Sequence, residues 1–252
     1  MAEPTNIVWI TGATSGIGEA LARLCPWPDT RVISVSRREH PDLETFPFEL
    51  TDPDTWDRLG EHLLETLASF RGERALFIHN ALAPLPHQFV GEGDPVELRA
   101  EITANAVSPL VLGDMFLRAA PPAVATGADV GLVQMSSASA RLAYPGMAVY
   151  SAAKASMEQW VRAVRLEREL RDEGPWVVAI RPGFVDTPSN RRAAELPLDR
   201  HPAVPGIVEA VKSGEHMLSA DECATGIWGA LPVGGPEKPV LLFGEAVGVT
   251  NQ

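Results

Sequence analysis

Tyr150 and Lys154 stand four residues apart in the run Tyr150-Ser-Ala-Ala-Lys154, a spacing that sets two side chains on one face of a helix about 6 Å apart. A phenol titrates near ~10 and is a poor acid or base at neutral pH, but a fixed cation about 4–6 Å away favours the phenolate by roughly 1–3 units. On a helix over Ala148 to Leu170 the pair is therefore a candidate proton donor and acceptor. Taken alone, the same spacing also fits a tyrosine and a lysine that merely decorate a helix.

The elements before this pair read as a floor for a ligand. Ile7-Val-Trp-Ile10 has the apolar run of a buried parallel strand, and Thr11-Gly-Ala-Thr-Ser-Gly-Ile-Gly18 follows it directly. Ile17, Ala20, Leu21 and Leu24 then recur at helical spacing until Pro26 and Pro28. Glycines at 12, 16 and 18 permit a tight turn and let a pyrophosphate approach bare amides at a helix N-terminus. Their spacing, Gly-x-x-x-Gly-x-Gly, differs from the commoner Gly-x-Gly-x-x-Gly.

Further strands are predicted at Arg31 to Ser36, Phe46 to Leu50, Ala75 to Asn80, Val130 to Ser137, Trp176 to Arg181 and Pro239 to Phe243. Trp56, Leu59, Leu63 and Leu67 form the stripe of a helix capped by Thr51 or Asp52. A helix over Val96 to Ala120 contains Pro109, which cannot donate to the carbonyl of Asn105, so the helix should bend there and free that carbonyl. The freed carbonyl can hold a water, or the kink can simply improve packing. Ser137 lies at the carboxyl end of a strand, where open α/β sheets bind ligands. Arg162, Arg165 and Arg168 with Glu167 and Glu169 read as a solvated or subunit-facing helix surface. His79 reads as packed or hydrogen-bonded within its strand, and no metal site is expected.

Strands alternating with helices predict one Rossmann-type α/β domain over residues 1–252, a doubly wound parallel sheet of about seven strands, with a lid at about 188–214. The 252-residue length, with 45% apolar and 21% charged residues, fits a single large core. A net charge of −12 opposes binding to nucleic acid or an anionic membrane. Cys25 and Cys223 lack metal or redox spacing, and no apolar run approaches the ~20 residues that cross a bilayer, so a reducing, cytoplasmic setting is expected.

Thr11-Gly-x-x-x-Gly-x-Gly18, Asn80-Ala81, Asn105, Ser137, Tyr150-x-x-x-Lys154 and Pro182-Gly183, in this order along nearly the whole chain, resemble the short-chain dehydrogenase/reductase family. Asp186-Thr-Pro through Gly214 and Leu218-Ser-Ala-Asp-Glu are similar to its sepiapterin reductase and benzil reductase subgroup. The resemblance implies hydride transfer between a nicotinamide cofactor and a carbonyl or alcohol of a small molecule, with Tyr150 passing the proton and Ser137 holding the oxygen. It implies that Lys154 lowers the Tyr150 pKa and binds the nicotinamide ribose, and that a water on the Asn105 carbonyl links Lys154 to solvent. Cofactor contacts carried over with it are Gly12, Thr14, Ser15, Gly16, Ile17, Gly18, Ser36, Arg37, Arg38, Leu50, Asn80, Ala81, Tyr150, Lys154, Pro182, Gly183, Val185 and Thr187. A homodimer or homotetramer is implied as well.

Ser36-Arg37-Arg38 ends the second strand with two guanidiniums and no carboxylate, which suits a 2′-phosphate and hence NADP(H), with Arg37 as the first contact. Two positions depart from the family pattern. Leu82 stands where a glycine is usual, and the adenine-contacting acid is either Glu49 or a displaced Asp52. The expected lining, Leu82, Ala138 to Tyr144, Phe184 and the lid, is mostly apolar and suits a compact aromatic or alicyclic ketone, with Arg141, Arg191 and Arg192 as anion contacts or solvated groups. A dinucleotide-binding sensor or scaffold without chemistry is the alternative.

Overall fold

The computed structural model describes residues 4–83, 88–172, 174–195, 208–209, 212–213 and 217–243. Its strands are β1 (Asn6–Thr11), β2 (Thr30–Ser36), β3 (Glu44–Pro47), β4 (Arg74–His79), β5 (Asp129–Met135), β6 (Trp176–Arg181) and β7 (Val240–Leu242). All pair in parallel, in the order β3-β2-β1-β4-β5-β6-β7. The order reverses between β1 and β4, so the crevice at their carboxyl ends is the place where such sheets take a ligand.

Eight α-helices are described: α1 (Gly16–Arg23), α2 (Pro53–Ser69), α3 (Pro95–Ile102), α4 (Ser108–Ala119), α5 (Pro121–Ala125), α6 (Ala148–Arg171), α7 (Pro188–Ala193) and α8 (Ala220–Gly229). Strand side chains alternate between faces, and each face has its own core. Trp9, Phe77 and Leu132 meet Leu59 and Leu63 of α2, Leu112 and Phe116 of α4, and Val161 and Val164 of α6. Val8, Ile10, Ile78 and Val133 meet Leu21 of α1 and Ile227 and Trp228 of α8. Both faces being covered explains why the strands read as continuous apolar runs. Among the described residues no helix is long and apolar enough to cross a membrane.

Three expectations change in detail. β3 stops at Pro47 rather than running to Leu50; Phe48 still donates to the Ser36 carbonyl at 3.2 Å, and the chain then turns into the Asp52 cap of α2. The helix expected over Val96 to Ala120 is interrupted by a π turn, Thr103–Val107, in which the Ser108 amide reaches back five residues to the Thr103 carbonyl. Widening the helix here moves the hydrogen-bond ladder across the position where Pro109 has no donor, so the anomaly expected at Asn105 takes the form of a π bulge. The arginines of α6 are not simply a solvated face: Arg165 donates to the carbonyls of Val177, Pro236 and Glu237. Of the expected lid, α7 and residues 194–195, 208–209 and 212–213 are described; the rest lies outside the described residues.

Candidate active site

The glycine turn is built by backbone demands. Gly12 has φ of +71°, a conformation that side chains with a Cβ rarely adopt, and a Cβ on Gly18 would lie 2.3 Å from the Gly12 carbonyl oxygen. β1 and β4 hold this turn from beneath. Thr11 Oγ1 accepts the amides of Asn80 and Ala81 at 2.9 and 2.8 Å, and Asn80 Nδ2 donates to the Thr11 carbonyl at 3.2 Å. Backbone therefore stays bare at the N-terminus of α1, a cradle that fits a dinucleotide pyrophosphate. Thr187 stands on its other side, its methyl 3.4 Å from a Cβ built on Gly16.

At the end of β2 the two guanidiniums separate. Arg37 is largely exposed and pairs with Glu49 across 3.4 Å, whereas Arg38 Nη2 donates to Thr14 Oγ1 at 3.0 Å. Arg38 rather than Arg37 thus touches the glycine turn. Asp52 is occupied as the cap of α2, accepting the Asp54 amide at 3.1 Å, which leaves Glu49 as the acid beside this crevice. Leu50 is buried next to it.

Ser137, Tyr150 and Lys154 come together. Ser137 leaves β5 as the cap of a 3₁₀ turn, Ala138–Ala140, its oxygen accepting the Ser139 amide at 3.2 Å. It also lies close enough to Tyr150 for its hydroxyl to favour the phenolate. Lys154 is buried, donates to the Met135 carbonyl at 2.7 Å, and has its Nζ 5.6 Å from the Tyr150 ring centre. Burial lowers the Lys154 ammonium to about 8. The phenol does not follow the expected direction: burial raises its pKa, and the nearby Ser137 hydroxyl only partly opposes that. Desolvation penalises the phenolate more than the Ser137 hydroxyl favours it.

Asn105 sits in the π turn, 2% exposed, with Oδ1 accepting the Ala83 amide at 3.1 Å and Nδ2 buried without a partner among the described residues. His79 and Gln134 pair in register on β4 and β5 nearby. Both His79 ring nitrogens are buried and unpartnered among the described residues, and burial together with the Lys154 charge holds its pKa at about 3. Gly183 (φ +77°) turns the chain beyond β6, and Val185 bridges Leu218. Arg191 forms a two-pronged pair with Asp186, so it is not simply solvated. Among the described residues no group of three or more His, Cys, Asp or Glu side chains could hold a metal.

Sequence reasoning passed over Glu158, Arg181 and Ser136. Glu158 is 2% exposed on α6; it accepts from Ser136 Oγ at 2.7 Å and takes a two-pronged contact from Arg181 at the end of β6. The available signal was spacing: Glu158 follows Lys154 by four residues and Tyr150 by eight, on one helix face.

The family model described as short chain dehydrogenase matches residues 6–196. Benzil reductase ((S)-benzoin forming) of Bacillus cereus is 26% identical over 191 residues, covering 71% of this chain and 76% of its own. Sulfoacetaldehyde reductase 2 of Chromohalobacter salexigens is 30% identical over 198 residues, covering 73% and 74% respectively. In fold, the chain resembles aldohexose dehydrogenase of Thermoplasma acidophilum, with a TM-score of 0.71 at 20% identity over 95% of this chain and 92% of that one. It also resembles the KRED1-Pglu enzyme, with a TM-score of 0.73 at 22% identity over 89% and 94%.

Proposed function

Because the chain belongs to the short-chain dehydrogenase/reductase family, we propose that it is a cytoplasmic reductase that converts the carbonyl of a small ketone or diketone to an alcohol with NADPH. The observation that carries this reading is the convergence of Ser137, Tyr150 and Lys154 at the carboxyl end of β5, beside the bare glycine turn. Two relatives of known activity are named as reductases of carbonyl compounds, one of them of a diaryl diketone, which supports the reaction class.

The chain's own residues have distinct tasks. The glycine turn, Asn80-Ala81 and the Pro182 to Thr187 segment hold and orient the cofactor, which when bound supplies the hydride. The Ser137 hydroxyl donates to the carbonyl oxygen and stabilises the negative charge that grows there. Tyr150 keeps its proton at neutral pH because burial raises its pKa, so the phenol is in the form needed to give that proton to the oxygen. Lys154, with an ammonium near 8, can return a proton to the phenolate and recover one through a water on the Asn105 carbonyl. Leu82, the Ala138 to Tyr144 segment and Phe184 exclude water from a compact apolar substrate.

The test is NADPH oxidation over a panel of aromatic diketones, alicyclic ketones and small aldehydes, by the wild type and by Tyr150→Phe. Turnover on at least one diketone is expected, falling by ~10²-fold or more in Tyr150→Phe with the NADPH dissociation constant nearly unchanged. NADPH binding with no turnover anywhere on the panel would favour the sensor.

A further inference from the structure

Three consecutive residues at the end of β5 are tied to three residues on one face of α6. Met135 accepts from Lys154 at 2.7 Å, Ser136 donates to Glu158 at 2.7 Å, and Ser137 lies close enough to Tyr150 for its hydroxyl to favour the phenolate. The outer two ties involve the groups assigned to proton transfer. The middle one does not, yet its carboxylate is more deeply committed than either neighbour.

Glu158 Oε1 takes both Ser136 and the Arg181 Nε, while Oε2 takes the Arg181 Nη2 and, across 3.4 Å, Arg162. Ser136, Glu158 and Arg181 are all nearly inaccessible, at 4%, 2% and 7% exposure. The Ser136 amide donates to the Ile180 carbonyl at 2.6 Å, which adds a backbone tie between β5 and β6 at the same level. Arg181 immediately precedes Pro182-Gly183. One carboxylate therefore joins the strand end that carries Ser137, the helix that carries Tyr150 and Lys154, and the strand that launches the Pro182 to Thr187 segment.

Charge-assisted, two-pronged contacts restrict geometry as well as adding energy. A buried ion pair is a poor source of net stability compared with apolar packing, so stability alone does not account for a carboxylate and a guanidinium here. Fixed register does. On α6 each residue advances about 1.5 Å, so a small slide of the helix along β5 would misplace the Lys154 and Tyr150 contacts together.

Resting on the reductase reading above, we propose that Glu158 is a positioning residue: through Ser136 and Arg181 it fixes the register of α6 against the ends of β5 and β6, so that Tyr150 meets Ser137 and Lys154 meets the Met135 carbonyl.

Two variants test this, Ser136→Ala and Glu158→Gln. Ser136→Ala leaves the Glu158–Arg181 pair intact and removes only the link to β5, so it keeps the question answerable if Glu158→Gln fails to fold. In each folded variant kcat should fall on the order of ten- to a hundred-fold, the scale of a small misplacement of reacting groups, with the cofactor dissociation constant changed less than three-fold. A second readout does not need turnover. The chain has three lysines, Lys154, Lys212 and Lys238, so the side-chain NMR titration of Lys154 is separable. Its midpoint near 8 should fall further below the ordinary lysine value in both variants, because the Met135 carbonyl favours the charged ammonium and its loosening removes that support, with His79, whose own pKa feels the Lys154 charge, unchanged in sequence. Unaltered kcat and an unaltered Lys154 midpoint in folded Ser136→Ala would overturn the proposal. If the wild type turns over nothing on the panel, the reductase reading fails instead, and the Lys154 titration still decides whether Glu158 sets the register.

Discussion

Arg38 Nη2 lies 3.0 Å from Thr14 Oγ1, so a guanidinium from the end of β2 rests on the glycine turn itself, within reach of a ribose bound there. Arg37, paired with Glu49, starts from a neutralised position. Arg38→Ala should therefore weaken NADPH by ten- to a hundred-fold, the equivalent of roughly 1.5–3 kcal/mol for a charge-assisted contact, and leave NADH nearly unchanged. Arg37→Ala should cost less. Dissociation constants for both cofactors on both variants check this, and equal NADPH and NADH affinities in the wild type would contradict it.

Lys154 titrates near 8 when folded against 10.5 when free, so below about 8 its buried charge costs roughly 3 kcal/mol of stability. Between the two values the unfolded chain binds more protons, and stability contributed by this site rises with pH. Lys154→Met should raise the melting temperature at pH 7 by roughly 5–10 °C, while the gap narrows by pH 10. A gap that stays constant across that range would show that burial does not penalise this ammonium.

His79 gives the opposite end of the pH scale. Its imidazole stays neutral in the folded chain down to about 3, while the unfolded chain protonates near 6.5. Its contribution is thus complete above about 6.5 and is lost as pH falls towards 3, a swing of roughly 4–5 kcal/mol. His79→Leu should make the protein markedly more acid-resistant. Denaturant midpoints at pH 7 and pH 4.5 measure it, and an unchanged acid loss in the variant would contradict the assignment.

Exposed apolar residues lie along α3, the π turn and α6: Val96, Ile102, Val107, Leu166 and Leu170, the last 87% exposed. We expect these helices to pair between subunits in a dimer or tetramer, and Leu166→Glu to shift the population towards monomer. Sedimentation checks both; a wild-type mass of 27.1 kDa at micromolar concentration and above would contradict it.

The sheet was legible in the sequence because strands buried on both faces are apolar throughout, and because β1 and β5 change abruptly at their ends to glycine or small hydroxyl residues. Tyr150, Lys154 and Ser137 were legible through spacing and strand ends. Glu158 and Arg181 were not, since charge patterns read along one helix cannot reveal a partner 23 residues away. The same limit explains Arg165, whose three carbonyl partners lie beyond its own helix. Pro109 signalled a disturbance at Asn105 but not its form, because a bend and a π turn relieve the same missing donor. Nor can spacing tell which of two adjacent arginines turns back to the glycine loop: successive residues leave a strand end on opposite sides.

Pro47 has a consequence beyond ending β3. Along a parallel strand successive amides point alternately to its two neighbours, and the Phe48 amide points inward to Ser36. The nitrogen of Pro47 therefore lies on the outer edge, where an incoming strand from another molecule would need a donor and finds none. At the opposite edge β7 is only three residues long and follows Pro239. Both margins of an otherwise apolar sheet thus resist templating by a neighbour, which should keep a concentrated or partly unfolded population from zipping edge to edge into aggregates.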